Sequence, residues 1–191
     1  MTSISWLHGK VIWRFIYGLN TLTAYPKKGK KMKQLKYKII KSPVGNLKIV
    51  VNEKSLLAIL WDNEKPNRVR LDQMFEDPSD PLILTTEKQL NEYFNNQRKV
   101  FELALETEGT VFQKDVWKLL YEIPFGVTKT YKDIAVAINR PAAVRAVGTA
   151  IGRNPISIVI PCHRVIASNG SLAGFAGGLH RKRALLKLEK G

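Results

Sequence analysis

Cysteine is almost missing from this sequence, in which Cys162 is the only one among 191 residues. A single cysteine excludes an internal disulfide and any zinc site built on several cysteines. Because disulfides are typical of oxidising compartments, we predict a cytoplasmic protein, nucleoid-associated in a prokaryote or nuclear in a eukaryote. We expect no metal ion and no other cofactor.

Long apolar runs are missing as well. The apolar stretch within residues 1–31 is interrupted by His8, Lys10 and Arg14, so it is too short and too charged to span a bilayer. It also lacks the small-residue cleavage site of a secretory signal, and we expect no membrane partner. We interpret residues 1–31 as a disordered basic arm, an amphipathic surface segment or a stretch upstream of a true start at Met32. We favour the last, because a fold begins cleanly at Met32.

Acidic residues are scarce, with 16 Asp and Glu against 31 Lys and Arg. Residues 1–31 hold six basic residues and no acidic one, and residues 32–108 hold twelve of each kind. Residues 109–191 hold thirteen basic residues against four acidic ones. A basic last third predicts a polyanionic partner, of which nucleic acid is the usual one. A merely well-solvated surface is the alternative.

Residues 32–108 show the pattern of a small α+β scaffold domain without a reactive group. Short strand-like runs separated by turn residues alternate with one helix-like run. We predict strands over residues 36–40, 47–51, 55–61 and 99–106, a loop over 62–81 and a helix over 84–98.

Residues 109–191 are predicted to form a mostly helical domain. A helix capped by Thr110 ends at Pro124, and two short helices over 128–139 and 141–154 have the outline of a helix-turn-helix. The second of these offers a single Arg145 among small side chains, which favours close approach to a DNA groove over base reading. Packing of its alanines against a neighbouring helix is the alternative.

Cys162 lies between Pro161 and His163, at the end of an apolar run. On the residue type alone, a buried thiol acting as a small hydrophobe is the favoured interpretation, and a nucleophile is the alternative. The surrounding motifs are more specific. They are "IPCHRV" at 160–165, "NP" at 154–155, "RAVG" at 145–148, "TY" at 130–131, "GG" at 177–178 and "LLKLE" at 185–189.

These motifs resemble the methylated-DNA protein-cysteine methyltransferase family, also called O6-alkylguanine-DNA alkyltransferases. The resemblance is strong over residues 109–191, looser over 32–108 and absent over 1–31. It implies an α+β fold in which a small N-terminal sheet-plus-helix (ribonuclease-H-like) domain precedes a mostly helical, winged helix-turn-helix-like catalytic domain.

The resemblance implies DNA repair by irreversible transfer of an alkyl group from O6-alkylguanine in duplex DNA to Cys162, once per molecule, by a monomer. O4-alkylthymine is a second substrate to consider. By the same resemblance, His163 takes the thiol proton through a water and Glu189 orients that histidine. Tyr131 protonates the departing guanine, and Asn154 braces the turn that carries the cysteine.

The family also implies which residues meet DNA and substrate. Arg145 is expected to fill the space of the flipped nucleotide. The other expected DNA contacts are Ala143, Ala146, Gly148, Thr130 and Arg164. The expected substrate pocket comprises Phe175, Val165, Gly177, Gly178 and Lys182. Several relatives have tyrosine where this chain has Phe175, which leaves the preferred size of the alkyl group open.

Three other functions compete with alkyl transfer. The resemblance implies that non-enzymatic relatives, which only bind the lesion, have a tryptophan at the cysteine position. Cys162 therefore argues against that class. A helix-turn-helix regulator needs a base-reading helix, and the small residues around Arg145 argue against it. A cysteine hydrolase needs an oxyanion-hole loop, and none is visible in the sequence.

Overall fold

The computed structural model of the chain describes residues 6–7, 10–11, 34–63, 65 and 68–191. Residues 1–32 and 33–191 form separate units. In the first unit, strands β1 (Trp6–Leu7) and β2 (Lys10–Val11) pair antiparallel. The three interpretations of residues 1–31 otherwise lie outside the described residues and stay predictions.

A four-stranded sheet opens the second unit. It is formed by β3 (Leu35–Ile40), β4 (Leu47–Val51), β5 (Leu56–Trp61) and β6 (Met74–Glu76) in the order β5-β4-β3-β6. The pairs β3-β4 and β4-β5 are antiparallel, whereas β3-β6 is parallel. Reciprocal backbone hydrogen bonds between Ser42 and Gly45 close the first hairpin, and Gly45 has a φ of +105° that favours glycine.

Two parts of the predicted strand pattern were wrong. β6 lies within residues 62–81, which the sequence predicted to be a loop; its three residues are too few to show an alternating pattern. Residues 99–106, predicted to be a strand, contribute only an isolated bridge from Leu105 to Leu56. Residues 104–106 of this segment contact β5 at Leu56. The alternation of apolar residues over 99–106 therefore reflects half-burial of the segment and not an extended ladder of strand hydrogen bonds.

One helix covers the sheet. Helix α1 (Pro81–Phe94) begins three residues earlier than predicted, because Asp80 accepts hydrogen bonds from the Leu82 and Ile83 amides and proline is favoured at a first helical position. Its buried face includes Leu90 and Tyr93.

Helices dominate the second half of the unit. They are α2 (Val111–Tyr121), α3 (Tyr131–Ala137), α4 (Val144–Gly152) and α5 (Leu179–Lys190). Thr110 caps α2 as predicted, in a reciprocal capping box with Gln113. Short strands β7 (Lys129–Thr130) and β8 (Val165–Ile166) pair in parallel and bring the start of α3 beside the segment that follows Cys162.

The α+β fold class is confirmed, with a sheet-plus-helix first part and a helical second part. One cluster of buried side chains runs through β4, β5, α1, α2 and α4 and includes Cys162. The domain boundary between residues 108 and 109 stays a prediction. Among the described residues, no helix is long and apolar enough to cross a membrane.

Candidate active site around Cys162

The loop before Cys162 is closed by one side chain. Asn154, 1% exposed, donates through Nδ2 to the Ile160 carbonyl at 2.8 Å and accepts from the Ile156 amide at 3.1 Å. Arg68 holds the same corner from outside by donating to the Asn154 carbonyl at 2.6 Å. Within the loop, Ile158 has a φ of +73°, which is unfavourable for a β-branched residue. The loop is therefore held in a strained shape by surrounding hydrogen bonds.

Cys162 begins a 3-10 turn (Cys162–Arg164) and is 4% exposed. Burial raises the pKa of the thiol, and the hydrogen bond with Asn154 lowers it by less. The thiol is therefore protonated at neutral pH, and a nucleophilic role requires a base within reach.

The residue that follows it in the chain, His163, is the candidate for this base. His163 is fully buried, and its Nε2 lies 2.8 Å from Glu189 Oε1. Burial lowers the pKa of His163, although Glu189 raises it in part. A neutral ring beside a carboxylate donates through Nε2, which leaves Nδ1 as the basic nitrogen. Nδ1 is buried and has no hydrogen-bond partner among the described residues.

Five hydrogen bonds hold Glu189. Besides His163, its carboxylate accepts from the Tyr93 hydroxyl at 2.8 Å, the Gly126 amide at 3.1 Å and Arg164 twice at 2.9 Å. Burial opposes the charge, but the hydrogen bonds from His163 and Arg164 outweigh it and hold the pKa of Glu189 below its usual range. Glu189 is therefore an ionised, fixed acceptor for His163.

Arg164 lies inside the site and not on the DNA-facing surface that the sequence predicted. It is 5% exposed, and it donates to Glu189 and to the Ile123 carbonyl. A guanidinium fully engaged in this way cannot reach a phosphate without breaking the site. Val165 is likewise buried, and its carbonyl accepts from Lys182 Nζ at 2.6 Å.

Tyr131 and Lys182 meet at one carbonyl oxygen. The Tyr131 hydroxyl and Lys182 Nζ each donate to the Ala173 carbonyl at 2.8 Å. Burial lowers the pKa of Lys182 to about 8, with a smaller opposing effect of Cys162. Burial, followed by the charge of Cys162, raises the pKa of Tyr131. The shared Ala173 carbonyl therefore brings the two side chains together.

The pocket loop comprises residues 171–178, includes Ala173 and ends where α5 begins. Phe175 is half-buried, with its ring centroid 5.5 Å from that of Trp61. A Cβ on Gly177 would lie 2.7 Å from two ring atoms of Trp61, so only glycine fits there. Gly178 has a φ of +89° at the start of α5, a conformation that favours glycine.

Helix α4 presents the predicted small-residue face in part. Arg145, Ala146 and Thr149 are exposed, whereas Ala143 and Gly148 are half-buried. Ala150 is buried in the core. At that position the alternative interpretation, in which the alanines of this helix pack inside the protein, therefore applies. Thr130 has a local role, because its hydroxyl accepts from the Asp133 amide and caps α3.

Comparison with known proteins identifies the family. Residues 111–191 match the DNA binding domain, and residues 35–107 the ribonuclease-like domain, of 6-O-methylguanine DNA methyltransferase. The methylated-DNA–protein-cysteine methyltransferase of Methanosarcina barkeri is 47% identical over 159 residues, which cover 81% of this chain and 96% of the relative. The chain belongs to the 6-O-methylguanine DNA methyltransferase family. The resemblance stated from the motifs is thereby confirmed.

Solved structures of this methyltransferase family have the same fold. The methylated-DNA–protein-cysteine methyltransferase of Mycobacterium tuberculosis is 43% identical over 156 residues, 81% of this chain and 92% of the relative. A crystal structure of M. tuberculosis OGT in complex with DNA superposes with a TM-score of 0.74 at 42% identity, covering 81% of this chain and 92% of that one.

The structure of this methyltransferase-family chain brings most of the predicted site residues together. Cys162, His163, Glu189, Asn154 and Lys182 are all buried. Hydrogen bonds join His163 to Glu189, Asn154 to the loop before Cys162, and Lys182 to the segment after it. Sequence reasoning missed four residues that contact this region from the sheet half of the unit, because each lies far away in the chain: Trp61, Asp62, Arg68 and Tyr93.

Proposed function

We propose that this chain repairs DNA by moving an alkyl group from the 6-oxygen of a guanine to Cys162, once per molecule. The Cys162 thiolate attacks the alkyl carbon, an S–C bond forms and the C–O6 bond breaks. The electron pair of that bond leaves with the guanine. The thioether that results has no acyl or phosphoryl centre for water to attack, so the thiol is not regenerated.

The observation that carries this proposal is the buried pair of His163 and Glu189 beside a buried thiol. Glu189 accepts the hydrogen bond from Nε2–H of His163, so the lone pair of the ring lies on Nδ1. Nδ1 then accepts the thiol proton, which the family resemblance routes through a water molecule. Arg164 keeps Glu189 charged throughout, and the positive charge that develops on His163 is stabilised by that carboxylate.

The departing guanine needs a proton, for which Tyr131 is the donor proposed from the family. Its hydroxyl donates to the Ala173 carbonyl at 2.8 Å. Lys182 donates to the same carbonyl, so Ala173 keeps a donor when Tyr131 turns to the base. Because the pKa of Tyr131 is raised, the proton moves only as negative charge develops on the leaving base.

DNA is the proposed macromolecular partner. The exposed face of α4 offers one Arg145 with Ala146 and Thr149 beside it, which permits close approach to a groove with few base contacts. We propose that Arg145 occupies the gap left when the nucleotide is flipped out. The crystal structure of the M. tuberculosis relative in complex with DNA supports DNA as the partner.

Finer features belong to the same proposal. We propose alkylated guanine in duplex DNA as the substrate, O4-alkylthymine as a second one, a monomeric protein without a membrane partner, and a cytoplasmic or nuclear location. The cysteine itself opposes a purely lesion-binding function, since the proposed base follows it directly in the chain.

Intact mass spectrometry tests the function directly. A duplex with one 6-O-methylguanine is mixed in excess with the protein, and peptide mapping locates the added mass. We expect one methyl group per molecule, on the peptide that contains Cys162. Cys162→Ala should bind the same duplex and gain no mass. Sustained turnover beyond one equivalent, or methylation of the Cys162→Ala variant, would contradict the proposal.

A further inference from the structure

We propose that Trp61, on the last position of β5, is a specificity-determining residue of the alkyl-transfer site. Its indole supports Phe175 and Gly177 from behind and thereby sets how deep an alkyl group can enter beside Cys162. This inference rests on the proposed function and concerns the substrate class of the same site.

The contact of Trp61 with the pocket loop is close on two sides. The Phe175 ring meets the indole edge-to-face, with centroids 5.5 Å apart and planes at 62°. The Gly177 backbone lies so near that an added Cβ would be 2.7 Å from Cδ2 and Cε2 of Trp61 and 3.1 Å from Phe175 Cε1. Gly177 thus fills the narrow gap between the two rings. Neither ring can move toward the other without displacing the loop backbone.

Arg181 fixes Trp61 and the loop relative to each other. Its guanidinium carbon lies 5.2 Å from the Trp61 ring centroid, and Nη1 donates to the Gly177 carbonyl at 3.1 Å. The same side chain donates to the Val44 carbonyl, Asn63 Oδ1 and Asp62 Oδ1 at 2.6 to 2.7 Å. The hydrogen bond from Arg181 holds the pKa of Asp62 below its usual range, so the ion pair is present at neutral pH.

The supported loop carries Phe175, Gly177 and Gly178, which the family resemblance assigns to the substrate pocket. Ala173, two residues before Phe175, accepts hydrogen bonds from Tyr131 and Lys182, and Lys182 also donates to the carbonyl of Val165, three residues after Cys162. Phe175 itself packs against the core cluster that contains Cys162. Trp61 is 2% exposed and is anchored in the sheet, so the wall that it supports is rigid. A rigid wall favours a small alkyl group over a large one.

Trp61→Leu tests the inference through a ratio of rates. Single-turnover rate constants are measured with two duplexes of one sequence, which carry either 6-O-methylguanine or 6-O-benzylguanine. Leucine leaves space behind Phe175, so the ratio of benzyl to methyl transfer should rise about tenfold. Trp61→Phe, which removes less volume, should raise it less and keeps the test available if the leucine variant does not fold.

A double mutant gives a second, independent readout. Gly177→Ala alone forces its Cβ against the indole, and we expect methyl transfer to slow at least about tenfold. In the Trp61→Leu background the same Cβ has room, so adding Gly177→Ala should change the rate less than about threefold. Equal slowing by Gly177→Ala in both backgrounds would overturn the inference.

Leu90→Ala is the matched control for lost stability. Leu90 is fully buried in α1, outside the pocket loop, and its truncation should lower the melting temperature without changing the ratio of benzyl to methyl transfer. A folded Trp61 variant whose ratio equals that of the wild type would overturn the inference. Absence of any alkyl transfer by the wild type would instead contradict the proposed function.

Discussion

The Tyr93 hydroxyl donates a 2.8 Å hydrogen bond to Glu189 Oε1, the same oxygen that accepts from His163. The two residues are 96 positions apart, on the helix that covers the sheet and on the C-terminal helix. Burial, and then the charge of Glu189, raise the pKa of Tyr93, so its hydroxyl remains a donor at any working pH. The first half of the fold therefore holds part of the proposed base assembly in place.

Tyr93→Phe should move the acid limb of the pH–rate profile. With one donor fewer, Glu189 holds the His163 proton more strongly, and the pKa of His163 rises from its depressed value toward the ordinary one. The base is then lost at a higher pH as the solution is acidified. Rates of alkyl transfer measured from neutral to acidic pH should show this shift, together with a loss of about 1 to 3 kcal/mol in the free energy of unfolding.

Tyr121→Phe is the matched control for this experiment. Its hydroxyl donates to the Phe101 carbonyl at 3.2 Å, and the residue is exposed. Tyr121→Phe should therefore leave the acid limb of the pH–rate profile unchanged. An unmoved limb in Tyr93→Phe would show that the hydrogen bond to Glu189 does not influence the base.

Acid should destabilise the protein in two steps. The folded pKa of His163 lies below its unfolded value of about 6.5, so the unfolded chain binds more protons and stability falls as the pH drops through that range. Glu189 also has a depressed folded pKa, so its contribution, present above an unfolded value of about 4.3, is lost as the pH falls further. Urea unfolding at a series of pH values measures both steps.

The two steps can be assigned with histidine variants. His163→Gln should lack the step that begins near pH ~6.5, since no imidazole remains to be protonated on unfolding. His180→Gln, at an exposed position of α5, should retain it. Identical pH dependence in both variants would assign the step to another group.

Arg145→Ala should slow repair of a duplex far more than reaction with free 6-O-benzylguanine. The residue is exposed on α4 and its proposed function concerns only the flipped nucleotide. Arg183→Ala, exposed on α5, removes the same charge elsewhere and should slow duplex repair less. Single-turnover rates with both substrates make the comparison. Equal slowing of the two substrates by Arg145→Ala would exclude a flipping function.

Alkylated protein should melt at a lower temperature than fresh protein. Cys162 is buried in a turn that follows the strained Ile158, so an added group has little room. Overpacking of this kind typically costs about 1 to 3 kcal/mol, which lowers the melting temperature by several degrees. Calorimetry before and after one equivalent of methylated duplex, with DNA removed, measures the change. An unchanged or higher melting temperature would show that the turn accommodates the group.

Local sequence was enough to predict the elements whose information lies within a few residues. The turn at Ser42–Gly45, the cap at Thr110 and the paired helices α3 and α4 all follow from short-range chemistry. The cysteine segment was likewise recognisable from six consecutive residues. These features depend on backbone preferences and side-chain spacing, which a linear sequence states directly.

Only the tertiary structure decided which distant groups complete the site. Arg164 has the sequence neighbourhood of a DNA contact, yet it is buried because Glu189, 25 positions later, neutralises it. Trp61 and Tyr93 belong to the apolar patterns of a strand and a helix, respectively. Nothing in their local sequence indicates that Trp61 packs against Phe175 or that Tyr93 binds Glu189. Periodicity specifies that a side chain faces the core, but only the packing of the sheet half against the helical half specifies which atoms it meets there.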